Sequence, residues 1–128
     1  MVHDAAHVQA ALRAAHASGR PVTLVSAPGA GHYLGAGYFH AMIEAGAAGI
    51  DTALIAGTVL DCDDRPGTAL AALRAGMPAV RLRAGSEVLR KVGEIARKLG
   101  AAVNPETGPT LDLLDEAEPE RACRNWLD

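Results

Sequence analysis

Apolar and polar positions along the chain change rhythm several times, and each change marks an element. Val8, Ala11, Leu12 and Ala15 recur at the three- and four-residue spacing of a helix with one buried stripe. Asp4 stands where an N-cap belongs, and Gly19 ends the pattern just before Pro21. Val22 to Ser26 is short, apolar and β-branched, which predicts a strand. A glycine-rich turn follows, and Phe39, Met42 and Ile43 then give a second helical face that stops near Gly46 to Gly49. From Thr52 to Cys62 the chain is continuously apolar with β-branched members, the pattern of a strand buried on both faces. Gly57 leaves the start of that strand open, between Ala53 and Thr58.

Asp64-Arg65-Pro66-Gly67 reads as a helix start, with Asp64 as cap and Pro66 in the first turn. Ala69, Leu70 and Leu73 face inward, and Gly76 and Pro78 stop the helix. Ala79 to Arg83 predicts a third strand. Ser86 is the expected cap of the clearest helix in the chain, with Val88, Val92, Ile95 and Leu99 as its buried stripe. Its outer face carries Glu87/Lys91 and Glu94/Lys98 at favourable i,i+4 spacing, and Gly100 closes it. Ala101 to Asn104 predicts a fourth strand, and Arg121 to Leu127 an amphipathic turn or two around Trp126.

One helix followed by strictly alternating strands and helices, joined by short connections, predicts an α/β fold with a mainly parallel sheet of about four strands. The expected architecture is a small three-layer sandwich with helices on both faces, because the N-terminal helix is available to cover the sheet. The alternative is half of a βα-barrel, whose open sheet face and two free edges would require it to dimerise. The 128 residues are read as one domain, with 105–128 as an acidic, Pro-containing C-terminal extension.

Charge narrows the partners. A net charge of −3 with 21% charged residues gives no basic field for nucleic acid or an anionic membrane surface. Aromatic content of 3% leaves almost no platform on which bases stack. No apolar run approaches the roughly 20 residues of a membrane span. The first residues lack a basic region followed by an apolar run, so no signal peptide is read there. Cys62 and Cys123 are far apart and in no metal-ligand spacing. Two reduced thiols and no leader predict a cytoplasmic chain.

Candidate chemistry lies in the loops after the strands, which a parallel sheet gathers on one rim. Gly29-Ala30-Gly31-His32-Tyr33-Leu34-Gly35 has the form G-x-G-x-x-x-G between a strand and a helix. Glycines there let backbone amides approach an anion, and a helix N-terminus favours its charge. Ser26, Gly29, Gly31, His32 and Tyr33 are therefore the expected ligand-binding residues for a small anionic molecule. A dinucleotide is disfavoured, since no acidic residue follows the second strand at the usual distance. The second loop brings Asp61, Cys62, Asp63, Asp64 and Arg65, and the fourth brings Asn104. Asp61-Cys62-Asp63 after an apolar strand resembles the D-x-D of haloacid-dehalogenase-type phosphotransferases. The resemblance stops there: Arg65 replaces the expected threonine, and no Lys and acidic-pair motif follows.

Three functional readings follow. The first is an anion-binding α/β domain using the Gly29–Tyr33 loop. The second is a lyase- or hydrolase-like enzyme with His32 and Asp61 or Asp63 moving protons. The third is a non-catalytic, homo-oligomeric assembly protein. No cofactor is assigned and no metal site is predicted. Lys91 and Lys98 both lie on the outer face of one helix, so no lysine is placed for Schiff-base chemistry. Walker-type, G-x-S-x-G and C-x5-R motifs are absent.

Overall fold

The computed structural model describes residues 1–128. Helix α1 spans Ala5–Ser18, capped by the Asp4 carboxylate, which accepts from the His7 amide at 2.8 Å. It ends at Gly19, whose left-handed φ of 66° lets its amide turn back onto the last carbonyls. The remaining elements alternate as expected. They are β1 (Val22–Val25), a single turn α2 (Ala30–Tyr33), α3 (Ala36–Gly46), β2 (Ile55–Asp61), α4 (Pro66–Arg74), β3 (Ala79–Arg81), α5 (Ser86–Lys98), β4 (Ala102–Val103) and α6 (Pro119–Leu127). The four strands form one all-parallel sheet in the order β1-β2-β3-β4. The protein is a small α/β sandwich, and its sheet is open.

Successive side chains of a strand point to opposite faces, so the register assigns each residue a layer. Leu24, Leu60 and Val80 join an apolar cluster of 23 buried residues that also takes side chains from α1, α3, α4, α5 and α6. The opposite sheet face contributes only Val25, Val59 and Ala79. Asp61 and Arg81, paired in register at the strand ends, belong to that thinner face. With one Phe and one Trp in the chain, closeness replaces bulk. A Cβ at Gly46 of α3 would lie 2.5 Å from the Val8 Cβ and 2.6 Å from the Ala5 carbonyl of α1. Only glycine permits that helix contact.

The C-terminal extension is tied to the rest of the chain. Leu113 is buried, its amide donates to the Met1 carbonyl at 3.2 Å, and α6 packs along α1. His3 Nε2 and an Asp112 carboxylate oxygen meet at 2.6 Å. The Asp112 carboxyl is held below its ordinary range, first by the Leu114 amide and then by His3. No helix is long and apolar enough to cross a membrane.

Several local expectations are corrected. Thr52–Leu54 is a 3-10 turn capped by Asp51, so the second strand begins at Ile55 rather than earlier or later. Asp64 does not cap α4, where Arg65 holds the N-cap position and no side chain caps the helix. Ser86 is the first helical residue of α5, and the cap position belongs to Gly85. On that helix Val92 is buried, but Val88 and Leu99 are 37% and 51% exposed. The short β4 beside α5 leaves the outer turns of that stripe uncovered. Glu87–Lys91 pairs as expected, whereas Glu94 pairs with Arg90 instead of Lys98.

Candidate functional site

The loops after β1 and β2 are joined through two side chains. Ser26 is buried, and its hydroxyl accepts from the Asp61 amide at 2.9 Å while donating to the Ala27 carbonyl at 3.0 Å. The Asp61 carboxylate reaches back, its Oδ1 accepting from the Gly29 amide at 3.0 Å and from the Asp63 amide at 2.9 Å. Asp61 and Ser26 thus stitch the first two strand ends together. An unpartnered buried amide costs roughly 1–3 kcal/mol, so each of these bonds matters to the rim.

The glycine turn is built for close packing. Gly29 and Gly35 take left-handed φ values of 72° and 86°, and α2 between them is four residues long. A Cβ at Gly31 would meet the Cys62 Sγ at 2.8 Å and the Asp61 carbonyl at 3.0 Å. The amides of Ala30, His32, Tyr33, Leu34 and Gly35 all donate to carbonyls within the turn, and Gly29 donates to Asp61. An amide cradle for phosphate needs several free N–H groups converging on one point. Here five of those groups close the turn on itself, and the Gly29 amide ties it to the end of β2. His32 and Tyr33 are exposed at its tip, and no hydrogen bond joins His32 to Ser26, Asp61 or Asp63. Cys62 is fully buried beneath the turn, and burial, then Asp61, pushes its thiol up to about 11. Such a thiol is a packing group, not a nucleophile.

A polar cleft of about 280 Å³ opens further along the rim, at the ends of β2, β3 and β4. Asp61, Asp63, Arg81, Leu82, Arg83, Asn104 and Pro105 line it. Asn104 shapes one wall. Its φ is 51°, and its side-chain amide grips Leu82 from both sides: Oδ1 accepts from the Leu82 amide at 2.8 Å, and Nδ2 donates to the Leu82 carbonyl at 2.9 Å. Asp63, φ 53°, shapes the other wall, its carbonyl accepting from the Arg83 amide at 2.8 Å. Asn and Asp are the residues that best tolerate this left-handed backbone.

The charges of the cleft are arranged unevenly. Arg83 pairs with Asp63 in solvent, and that hydrogen bond raises the guanidinium further above its ordinary range. Exposed pairs of this kind contribute little and exchange readily. Arg81 and Asp61 are different. They are register partners on adjacent strands, side by side on one face, yet they form no ion pair. Asp61 turns to the Gly29 and Asp63 amides, and Arg81 turns to Thr107 of the extension, its Nη2 donating to that hydroxyl at 2.7 Å. Arg81 is a half-buried residue, and its guanidinium has no carboxylate partner.

Of the residues expected to form the site, Ser26, Gly29 and Gly31 hold the rim together, Asp61 and Asp63 line the cleft, and His32 and Tyr33 stand exposed outside it. Arg81 and Arg83 were not singled out by motif. Their signal was the alternation Ala79-Val80-Arg81-Leu82-Arg83, which puts two guanidiniums on the face opposite Val80 and Leu82. A second cavity of about 280 Å³ lies beside β1, between the extension and α6, with Val22, Leu24, Leu113 and Trp126 in its lining. Its one ionisable side chain is the Cys123 thiol, raised by burial, and Thr23, Thr107 and Thr110 stand among its apolar lining. No cluster of three or more His, Cys, Asp or Glu side chains is placed to hold a metal ion. No family model matches the chain, and no curated protein is detectably similar to it.

Proposed function

We propose that the chain is a small-molecule-binding domain that takes an anionic ligand in the cleft at the carboxyl ends of β2, β3 and β4. The observation that carries this reading is Arg81: a half-buried residue at the carboxyl edge of a parallel sheet, its guanidinium held by Thr107 and lacking a carboxylate partner. Arg presents a fork suited to carboxylate or phosphate, and only one arm of this one is engaged. Arg83 adds a second guanidinium whose exposed pair with Asp63 can open towards a ligand. The Gly29–Tyr33 loop then acts as support, transmitted through the Asp61 carboxylate. The cleft lies just below the ~300 Å³ at which pockets for drug-sized molecules begin, so the ligand is of small-metabolite size.

Calorimetric titration with propionate and with inorganic phosphate tests the proposal. Saturable binding to the native chain, weakened at least about tenfold in Arg81→Gln, is the expected result. Absence of binding by both anions, or binding indifferent to Arg81, would refute it.

A further inference from the structure

The charge pattern of the cleft says more about the ligand than that it is an anion. Asp61, Asp63, Arg81 and Arg83 all line it, so its formal charge is zero. Asp61 uses Oδ1 for the Gly29 and Asp63 amides, and its Oδ2 has no protein partner. Asp63 gives Oδ1 to Arg83, and its Oδ2 is likewise free. Arg81 gives only Nη2 to Thr107. The unfilled groups are therefore carboxylate acceptors and guanidinium donors on neighbouring strands, brought side by side by the Asp61–Arg81 register.

We infer that the ligand is a zwitterion, an α-amino acid or a close relative, with its carboxylate on Arg81 and its ammonium between the free oxygens of Asp61 and Asp63. The inference rests on the anion-binding reading above and specifies it. A doubly charged phosphate would leave the neutral cleft negative, beside Asp61, Asp63 and the nearby Asp64. A simple amine would leave Arg81 unmatched. An α-amino acid satisfies both signs with no net change. Its nitrogen and carboxylate carbon lie about 2.5 Å apart, a span that neighbouring strands ~4.8 Å apart can bracket. Hydrogen bonds to charged groups are the strong ones, and losing a mate for a desolvated carboxylate is felt in full.

Matched ligands separate the two claims. Alanine, leucine and aspartate are each titrated beside the corresponding 2-hydroxy acid and the acid lacking any 2-substituent. The expected result is that in at least one set the amino acid binds about tenfold or more tighter than both analogues. Asp61→Asn keeps an oxygen for the Gly29 and Asp63 amides while removing the charge, so it should erase the preference for the amino acid over its two analogues. Asp63→Asn provides the same comparison should Asp61→Asn fail to fold. Equal, Arg81-dependent binding of all three members of every set would overturn the zwitterion and leave the anion site standing. Failure of every acid to bind would overturn both.

Discussion

Two stretches of the same rim divide the work in a way their sequences do not advertise. The loop after β1 is rich in glycine and opens a helix, the local form of an anion cradle, yet six of its amides are engaged and Gly31 sits against Cys62 and the Asp61 carbonyl. The ends of β2 and β3 hold a cleft of no net formal charge in which Arg81 has no carboxylate partner. Glycine permits close approach, and the approaching group here is the protein's own second strand. An open site is recognised by hydrogen-bonding groups left over, not by conformational freedom.

Substitutions that separate support from binding test this contrast. The largest effect is expected at Gly31. Even a Cβ there meets a backbone carbonyl at 3.0 Å, so Gly31→Val should lose about 3 kcal/mol or more in urea unfolding, or fail to fold. A Gly31→Val chain of wild-type stability that no longer binds propionate would make the loop a ligand cradle and break the comparison. Next, Ser26→Ala leaves the Asp61 amide without its acceptor and should cost roughly 1–3 kcal/mol by the same measurement. Its propionate affinity under native conditions should remain near that of the parent.

Arg81→Gln inverts that outcome. The guanidinium holds only the Thr107 hydroxyl, so stability should change by no more than about 1 kcal/mol while propionate affinity falls at least about tenfold. The last effect, nil at neutral pH, concerns Cys62. Its thiol ionises near pH 11 in the fold and near pH 9 when exposed, so between these values the folded chain holds the proton more firmly. The unfolded state then binds fewer protons, and stability should fall as pH rises from about 9 to 11 while being unaffected by this group below that window. Cys62→Ala should flatten that slope without altering propionate binding. A thiol reagent at neutral pH should find Cys62 unreactive until the chain unfolds.

The order of elements was legible because it rests on periodicity: the Val8/Leu12 stripe, the β-branched strands and the terminating glycines each act locally. Caps were less legible. Asp64 and Ser86 have the right chemistry, but Arg65 and Gly85 have the right backbone position, and a register shift of one residue decides a cap. The exposed Val88 and Leu99 were misread as core because helix periodicity gives a face and not what covers it. Asp61 and Asp63 were visible as chemistry, whereas their neighbours depended on pairing. That Asp61 stands beside Arg81, that Thr107 pulls Arg81 away, and that Asn104 grips Leu82 are facts of register and of the path taken by the extension. No local pattern carries them.

Mapping amide and arginine side-chain nitrogen shifts by NMR during a propionate titration tests the central claim most directly. The account predicts that the largest changes fall on Asp63, Arg81, Arg83 and Asn104, with Gly29 responding only through its bond to Asp61. Changes centred on Gly31, His32 and Tyr33, with Arg81 and Asn104 unmoved, would contradict it and return the site to the glycine turn.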